Sequence, residues 1–491
     1  METLQRTANR GSVSTGDYEI SNSIMFSSLG TYADANSLFY HLMNPGGDDN
    51  WAATSTSGTN ARKLTVSCWF KRTALTESSH YPRLFDYRAG GVAFAVYFNT
   101  SDQLQMYDDN TSMSLISNQV FRDLSAWSHI VVQIDSTQAT ASDRVNVYIN
   151  GEKITSWATE DYGNQNVDLS PFRADSVSLY IGSAAFDYST AFNGYIADYH
   201  FIDGSTVAHT EFGETDSDSG IWKPKQYTGS YGILGHYYNF SDASDMGEDF
   251  SGNNNDSNNR GSGIANGSAR QATDTPTNNF CTLNDLINFK YTTNGIGDGG
   301  TTFGDNTGGG VGGAFGTMAV TAGKWYWEVK LVDQQSHYIG ISAVDDGDNV
   351  LSSTDPQEEN STFRFNISAA RREYVSSGSQ TYGSLDEFSD FHTNNDIIGI
   401  ALNMDDNQIS IYGNGTLQSG IANSSIFDAA NKMVVPFHGT INDEAQYNFG
   451  GYSAWTPSSA VSDANGYGTF EYSPPSGYYA LCTKNLAQYG G

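Results

Sequence analysis

The sequence predicts an all-β protein built of two β-sandwich (jelly-roll) domains joined by a polar linker, and three observations carry that expectation. Short apolar runs rich in β-branched and aromatic residues recur through both halves of the chain. Tyr (30), Phe (26) and Gly (51) are abundant, a mixture that suits strands separated by turns. Helical periodicity is nearly absent; Ser424 to Lys432 offers about two turns at most.

A chain of 491 residues is long enough for two large domains, each with its own core. Met1 to Asp17 is polar and without strand or helix pattern, so it reads as an arm that orders only when docked to another subunit. The first sandwich is expected over residues 18–240. Its strand signals are 64–70, 92–98, 129–134, 144–149, 176–181 and 195–202, with Asn150-Gly151 as a hairpin turn. Residues 241–279, rich in Asn, Asp, Ser and Gly, cannot offset their own ordering entropy and read as the linker. The second sandwich, 280–491, repeats the strand style at 324–330, 338–342, 396–402, 408–412 and 433–437, with a turn at Gly413-Asn-Gly415. The glycine stretch Gly308 to Gly313 lacks the Lys-Ser/Thr ending of a phosphate-binding loop and reads as a flexible loop.

The formal charge of −31, from 55 acidic against 24 basic residues, repels a polyanion and excludes nucleic acid as a partner. No charged region followed by an apolar stretch opens the chain, and no run approaches about eighteen apolar residues, so no secretion signal or membrane insertion is expected. Cys68, Cys281 and Cys482 each stand beside residues of core type, and their odd number spoils a simple disulfide framework; core thiols are expected.

Trp127-Ser-His-Ile-Val-Val, followed by Asp143 to Glu152, resembles the laminin-G/pentraxin group of concanavalin-like jelly rolls. Gly323-Lys-Trp-Tyr-Trp-Glu-Val329, Ile339-Gly-Ile341, Asp396 to Asp405 and Ile409 to Gly415 resemble a SPRY domain, in the expected order. The segments Val120 to Trp127, Phe192 to Asp198, Phe201 to Gly204, Gly220 to Lys225, Thr273 to Asn279 and Gly477 to Asn485 are similar to structural proteins of marine bacteriophages. That resemblance implies a virion surface protein, assembled in the host cytoplasm, in contact with other tail or capsid proteins and with further copies of itself. The function it implies is a non-enzymatic adhesin, a tail fibre or short appendage binding host surface polysaccharide. A capsid decoration protein is the structural alternative and a polysaccharide depolymerase the enzymatic one.

Sugar sites combine aromatic platforms with carboxylates and amides, and turns at a sandwich edge supply both. Three segments have that character: Asp48, Asp49 and Trp51; Tyr107, Asp108 and Asp109; and Tyr162 with Asn164. The alternative reading of each is an ordinary turn. Asp242, Asp245, Asp249, Asn253, Asn255 and Asp256 concentrate oxygen ligands of the kind that Ca2+ accepts in sets of roughly six to eight, a cation site or a plain solvated linker. Trp127 with His129, and Trp325 with Trp327, share a strand face and read as structural. No His-Glu-x-x-His or Gly-x-Ser-x-Gly motif is present, so no catalytic residue is expected.

Overall fold

The computed structural model describes residues 18–27, 58–76, 80–89, 91–172, 177–184, 190–256, 270–289, 295–304, 311–333, 336–343, 362–376, 379–388, 393–422, 424–425, 432–441 and 443–490. The expected arm, 1–17, lies outside them. The described chain divides into two units at Thr277/Asn278.

The first unit is a sandwich of antiparallel sheets. One sheet runs, edge to edge, Gln271–Ala272, Ser23–Phe26, Gly194–Asp203, Lys63–Arg72, Ser128–Asp135, Val145–Ile149 and Glu152–Lys153, with His236–Tyr238 also paired to Gly194–Asp203. The other runs Trp157–Asp161, Met113–Val120, Gln103–Asp108, Val92–Phe98, Arg83–Ala89 and Val177–Ile181. Period-two alternation decides which side chains fill the space between them. Phe94, Val96 and Phe98 meet Leu64, Val66 and Phe70 there, while Ala93, Ala95 and Tyr97 point away. Asn150 and Gly151 turn their hairpin with φ of 49° and 82°, conformations that Asn and Gly reach at little steric cost.

Strand Gly194–Asp203 is buried along its whole length. Its inner face contributes Ile196, Tyr199 and Phe201 to the core, and its outer face is covered by Phe212, Tyr227, Tyr231 and Tyr237. A bulge between Ala197 and His200, with Asp198 at φ 52°, shifts the register there. The stretch read from composition as a linker, 241–279, falls differently. Met246 enters the first core, and Gln271–Ala272 form the edge strand beside Ser23–Phe26. Composition misled because the polar groups of this stretch are consumed in hydrogen bonds within the unit rather than left to water. Residues 257–269 lie outside the described residues.

The second unit is again a sandwich. One sheet orders Leu283–Phe289, Val311–Gly316, Val434–Ile441, His337–Ala343, Thr362–Asn366, Arg371–Ser376 and Ser379–Tyr382. Its partner orders Ile296–Gly297, Thr302–Gly304, Glu444–Asn448, Lys324–Leu331, Ile397–Asn403, Gln408–Gly413 and Thr416–Leu417. Tyr479–Ala480 adds a parallel strand to Lys324–Leu331. Trp325 and Trp327 face inward on the same side and are wholly buried, as their spacing requires. Two expectations need correction. Gly312 and Gly313 lie in a strand paired to Thr440 and Gly439, because flanking strands there supply the hydrogen bonds that the glycines cannot reinforce with side chains. Ser424–Ser425 pair with Gln408 and Ile409 as strand, while 426–431 lie outside the described residues; among the described residues the α-helix is Thr483–Tyr489.

Candidate functional site

The outward face of the six-stranded sheet of the first unit gathers side chains from five strands. Register places Tyr180, Asp86, Ala95, Tyr107 and Ser114 in one row across the sheet. A second row holds Arg83, Tyr97 and Gln105, and a third holds Arg88 and Ala93. Because directly opposed residues share a face, residues far apart in sequence become neighbours.

At the centre, the Arg83 guanidinium lies 4.7 Å from the Tyr97 ring centroid and 5.7 Å from that of Tyr107. The Tyr97 and Tyr107 rings meet edge to face at 6.0 Å, and Tyr81, 40% exposed, meets Tyr97 the same way at 6.2 Å. Such contacts fix the rings at little entropic cost. Asp86 Oδ2 takes ion pairs from Arg83 (3.2 Å) and Arg88 (2.9 Å). Burial raises the Asp86 carboxyl above its ordinary range, against the pull of both arginines. Burial also pushes the Tyr97 phenol up to about 12, so it is a neutral donor at neutral pH. Arg83 Nε, Asp86 Oδ1 and Arg88 Nε are buried and find no hydrogen-bond partner. These three atoms lie beneath the one face.

The residues singled out from sequence are distributed unevenly over this region. Tyr107 lies on the face, and Asp109 at its rim, where Oδ2 accepts from Ala93 N (2.9 Å). Asp108 is instead buried on the core side, accepting from Thr111 N (2.8 Å) and Ser170 N (2.9 Å), as a turn residue does. Tyr162 packs against the core and donates to Glu160 (2.8 Å). Asn164 N donates to Thr111 O (2.7 Å), so the Tyr107 and Tyr162 segments do meet at one end of the sheet. Asp48, Asp49 and Trp51 lie outside the described residues. Sequence reasoning missed Arg83, Asp86, Arg88 and Tyr97. The available signal was Arg83-Leu-Phe-Asp-Tyr-Arg88, charges alternating with apolar residues on a strand.

The oxygen-rich stretch near residue 250 has other work. Asp249 Oδ1 accepts from Tyr237 N (2.9 Å) and Ser251 N (2.8 Å), and Oδ2 from Asn255 N (2.8 Å) and Ser251 Oγ (2.7 Å). Asp256 Oδ1 accepts from Asp249 N (2.9 Å), while Asp242 and Asp245 cap their own turns at Ser244 N and Gly247 N. The amides of Asn253 and Asn255 both donate to Gly235 O (2.8 and 2.9 Å). These groups form a latch that fastens the stretch to strand His236–Tyr238.

Ser67 Oγ and His129 Nε2 stand 2.8 Å apart, a pairing that resembles a nucleophile and its base. Trp222 Nε1 donates to His129 Nδ1 (3.0 Å), so the ring proton sits on Nε2 and points at Ser67 Oγ. Burial lowers this histidine to about 3, and it cannot take the serine proton in that tautomer.

Residues 45–209 match the family model of the Concanavalin A-like lectin/glucanases superfamily, and residues 324–452 match the SPRY domain. Among solved structures the chain is similar to the SPRY domain of human HERC1, at 17% identity over 30% of this chain and 87% of that one, with a TM-score of 0.22. It is similar to a heptameric SAP-like pentraxin from Limulus polyphemus at 15% identity, over 39% of this chain and 81% of that one, TM-score 0.28. A Bacteroides ovatus protein assigned to carbohydrate binding shares 14% identity over 42% of this chain and 52% of that one, TM-score 0.27. No curated protein matches the chain.

Proposed function

We propose that this chain, with its concanavalin-like and SPRY sandwiches, is a non-enzymatic adhesin that binds glycan through the outward face of the six-stranded sheet. The observation that carries the reading is the set of tyrosine rings around Arg83, Asp86 and Arg88. Tyrosine rings stack on sugar C–H faces, and guanidinium and carboxylate groups meet hydroxyls. The Asp86 and Asp109 carboxylates match the Arg83 and Arg88 guanidiniums, so the face suits sugar hydroxyls without selecting a charged sugar. The resemblance of several segments to marine phage structural proteins supports a virion surface as the setting, where many copies would raise avidity without new contacts.

The test is binding of the purified chain to host cells and to extracted surface polysaccharide. Tyr107→Ala and Arg88→Ala are expected to weaken saturable binding by about tenfold each, and Tyr162→Ala to leave it unchanged. Binding that ignores both face variants sinks the site. Absence of any binding turns the reading to a capsid decoration protein, and release of reducing ends turns it to a depolymerase. Antibody-labelled electron microscopy of virions separates tail from head.

A further inference from the structure

At one end of the second unit, two connections pass side by side from sheet to sheet. One joins Lys324–Leu331 to His337–Ala343 and carries Asp333; the other joins Val434–Ile441 to Glu444–Asn448 and carries Asp443. Val332 N donates to Glu444 O (3.0 Å), and Glu444 N to Asp333 Oδ1 (2.9 Å). In return Ser336 N donates to Asp443 Oδ2. Each carboxylate thus spends one oxygen on a backbone N–H of the opposite connection.

Asp443 is wholly buried, and its other oxygen, Oδ1, finds no hydrogen-bond partner. Neither carboxylate has an ion pair with Lys or Arg among the described residues; the basic group beside them is the buried His337, whose Nε2 lies 3.8 Å from Asp333 Oδ1. One ligand atom from each of Asp333, His337 and Asp443 lies within 4.8 Å of the others. Burial and the neighbouring Asp443 raise the Asp333 carboxyl, and burial lowers His337, so the imidazole supplies no compensating charge.

We propose that Asp333, His337 and Asp443 form a binding site for a divalent transition-metal cation of the zinc class. A donor set of two carboxylates and one imidazole suits Zn2+ better than Ca2+, which takes oxygen ligands in larger number. Ligand atoms about 2.0–2.2 Å from Zn2+ stand roughly 3.3 Å apart, so small rotations of the side chains complete the site. The far side of the imidazole is held as metal-bound histidines usually are. His337 Nδ1 faces His438 Nε2 (3.4 Å), and His438 Nδ1 faces the Tyr447 hydroxyl (2.7 Å). His337 Nε2 also lies 2.9 Å from the Asp333 backbone carbonyl oxygen, so metal binding takes the ring proton off Nε2, leaves the imidazole protonated on Nδ1 against His438 Nε2, and brings that carbonyl beside the ion. The ion neutralises the two facing carboxylates, of which Asp443 is buried, and ties the two crossings together; with three protein ligands, a water takes the fourth position.

The test uses the full chain, stripped with chelator and titrated with Zn2+, Mn2+ and Ca2+ by calorimetry, with metal content measured after dialysis. The expected result is about one Zn2+ per chain, a rise of a few degrees in the unfolding midpoint, and visible absorption bands on loading with Co2+ that Zn2+ bleaches. Asp333→Asn and His337→Gln are each expected to weaken Zn2+ binding more than about tenfold. If His337→Gln does not fold, the isosteric change at the partly exposed Asp333 decides. Failure of the unsubstituted chain to take up Zn2+, or uptake untouched by Asp333→Asn, overturns the site.

Discussion

Glu328 is a wholly buried carboxyl that accepts from Glu471 N and Tyr472 N (2.8 Å each), from the Tyr326 hydroxyl (3.2 Å) and from Asn448 Nδ2 (3.3 Å). Burial outweighs these bonds and raises it from 4.5 to about 7. The folded chain therefore keeps a proton that the unfolded chain has lost between those values. Its contribution to stability is full below 4.5 and is lost as pH rises through about 7, a difference of roughly 3 kcal/mol. Urea unfolding at about pH 4.5 and about pH 7.5 checks this. Glu328→Gln is expected to remove that part of the pH slope, and an unchanged slope would contradict the assignment. Single residues were the least legible level of the sequence. Tyr107 could be picked because an aromatic beside polar oxygens is visible in one line of text. Arg83, Asp86 and Tyr97 become neighbours only through strand register, and Asp108 reads as exposed in sequence although the fold turns it inward.

At the scale of elements, the described end of the stretch 270–277 is fastened by one buried ion pair. Lys71 Nζ lies 2.8 Å from Asp274 Oδ2, with both side chains almost fully buried, and Trp127 Nε1 donates to Asp274 Oδ1 (2.8 Å). Ser23 Oγ donates to Asp274 O (2.6 Å), which anchors the edge strand. Asp274→Ala strands a buried ammonium, and the expected loss is about 3–5 kcal/mol in urea unfolding. Lys71→Met combined with Asp274→Leu is expected to recover much of that loss; a double variant no more stable than Asp274→Ala would show that the pair acts through something other than its charges. Strands with continuous apolar runs, such as Val92–Phe98 and Ile397–Asn403, were legible almost to the residue. Gln103–Asp108 and Arg371–Ser376 were not, since strands that alternate polar residues with apolar ones read equally well as loop; Glu444–Asn448 was missed because it buries polar Gln446 and Asn448, which read as loop. The helix Thr483–Tyr489 was missed because seven residues give too little periodicity to recognise.

At the scale of the molecule, a division at Thr277/Asn278 makes fragments 1–277 and 278–491 the natural halves. Each is expected to unfold cooperatively alone in a thermal melt, whereas a fragment ending at residue 240 lacks the Gln271–Ala272 strand and Asp274 and is expected to melt at lower temperature. Equal melting of the two versions would deny the edge strand a structural role. The two-sandwich plan was legible because it rests on residue types repeated many times, whereas the boundary rests on a few hydrogen-bonding groups that composition counts as solvated. The same edge strand also orders events in time. Ile24 has Ile196 on one side and Gln271 on the other, so a ribosome must make more than half of the 491 residues before this sheet gains its last strand. Vectorial synthesis therefore leaves an apolar strand waiting for a partner nearly two hundred and fifty positions downstream, about the distance from Ile24 to Gln271. A nascent chain of that kind is a natural client for chaperones, and its yield in a host would be set by how long the strand waits and not by how stable the finished sandwich is.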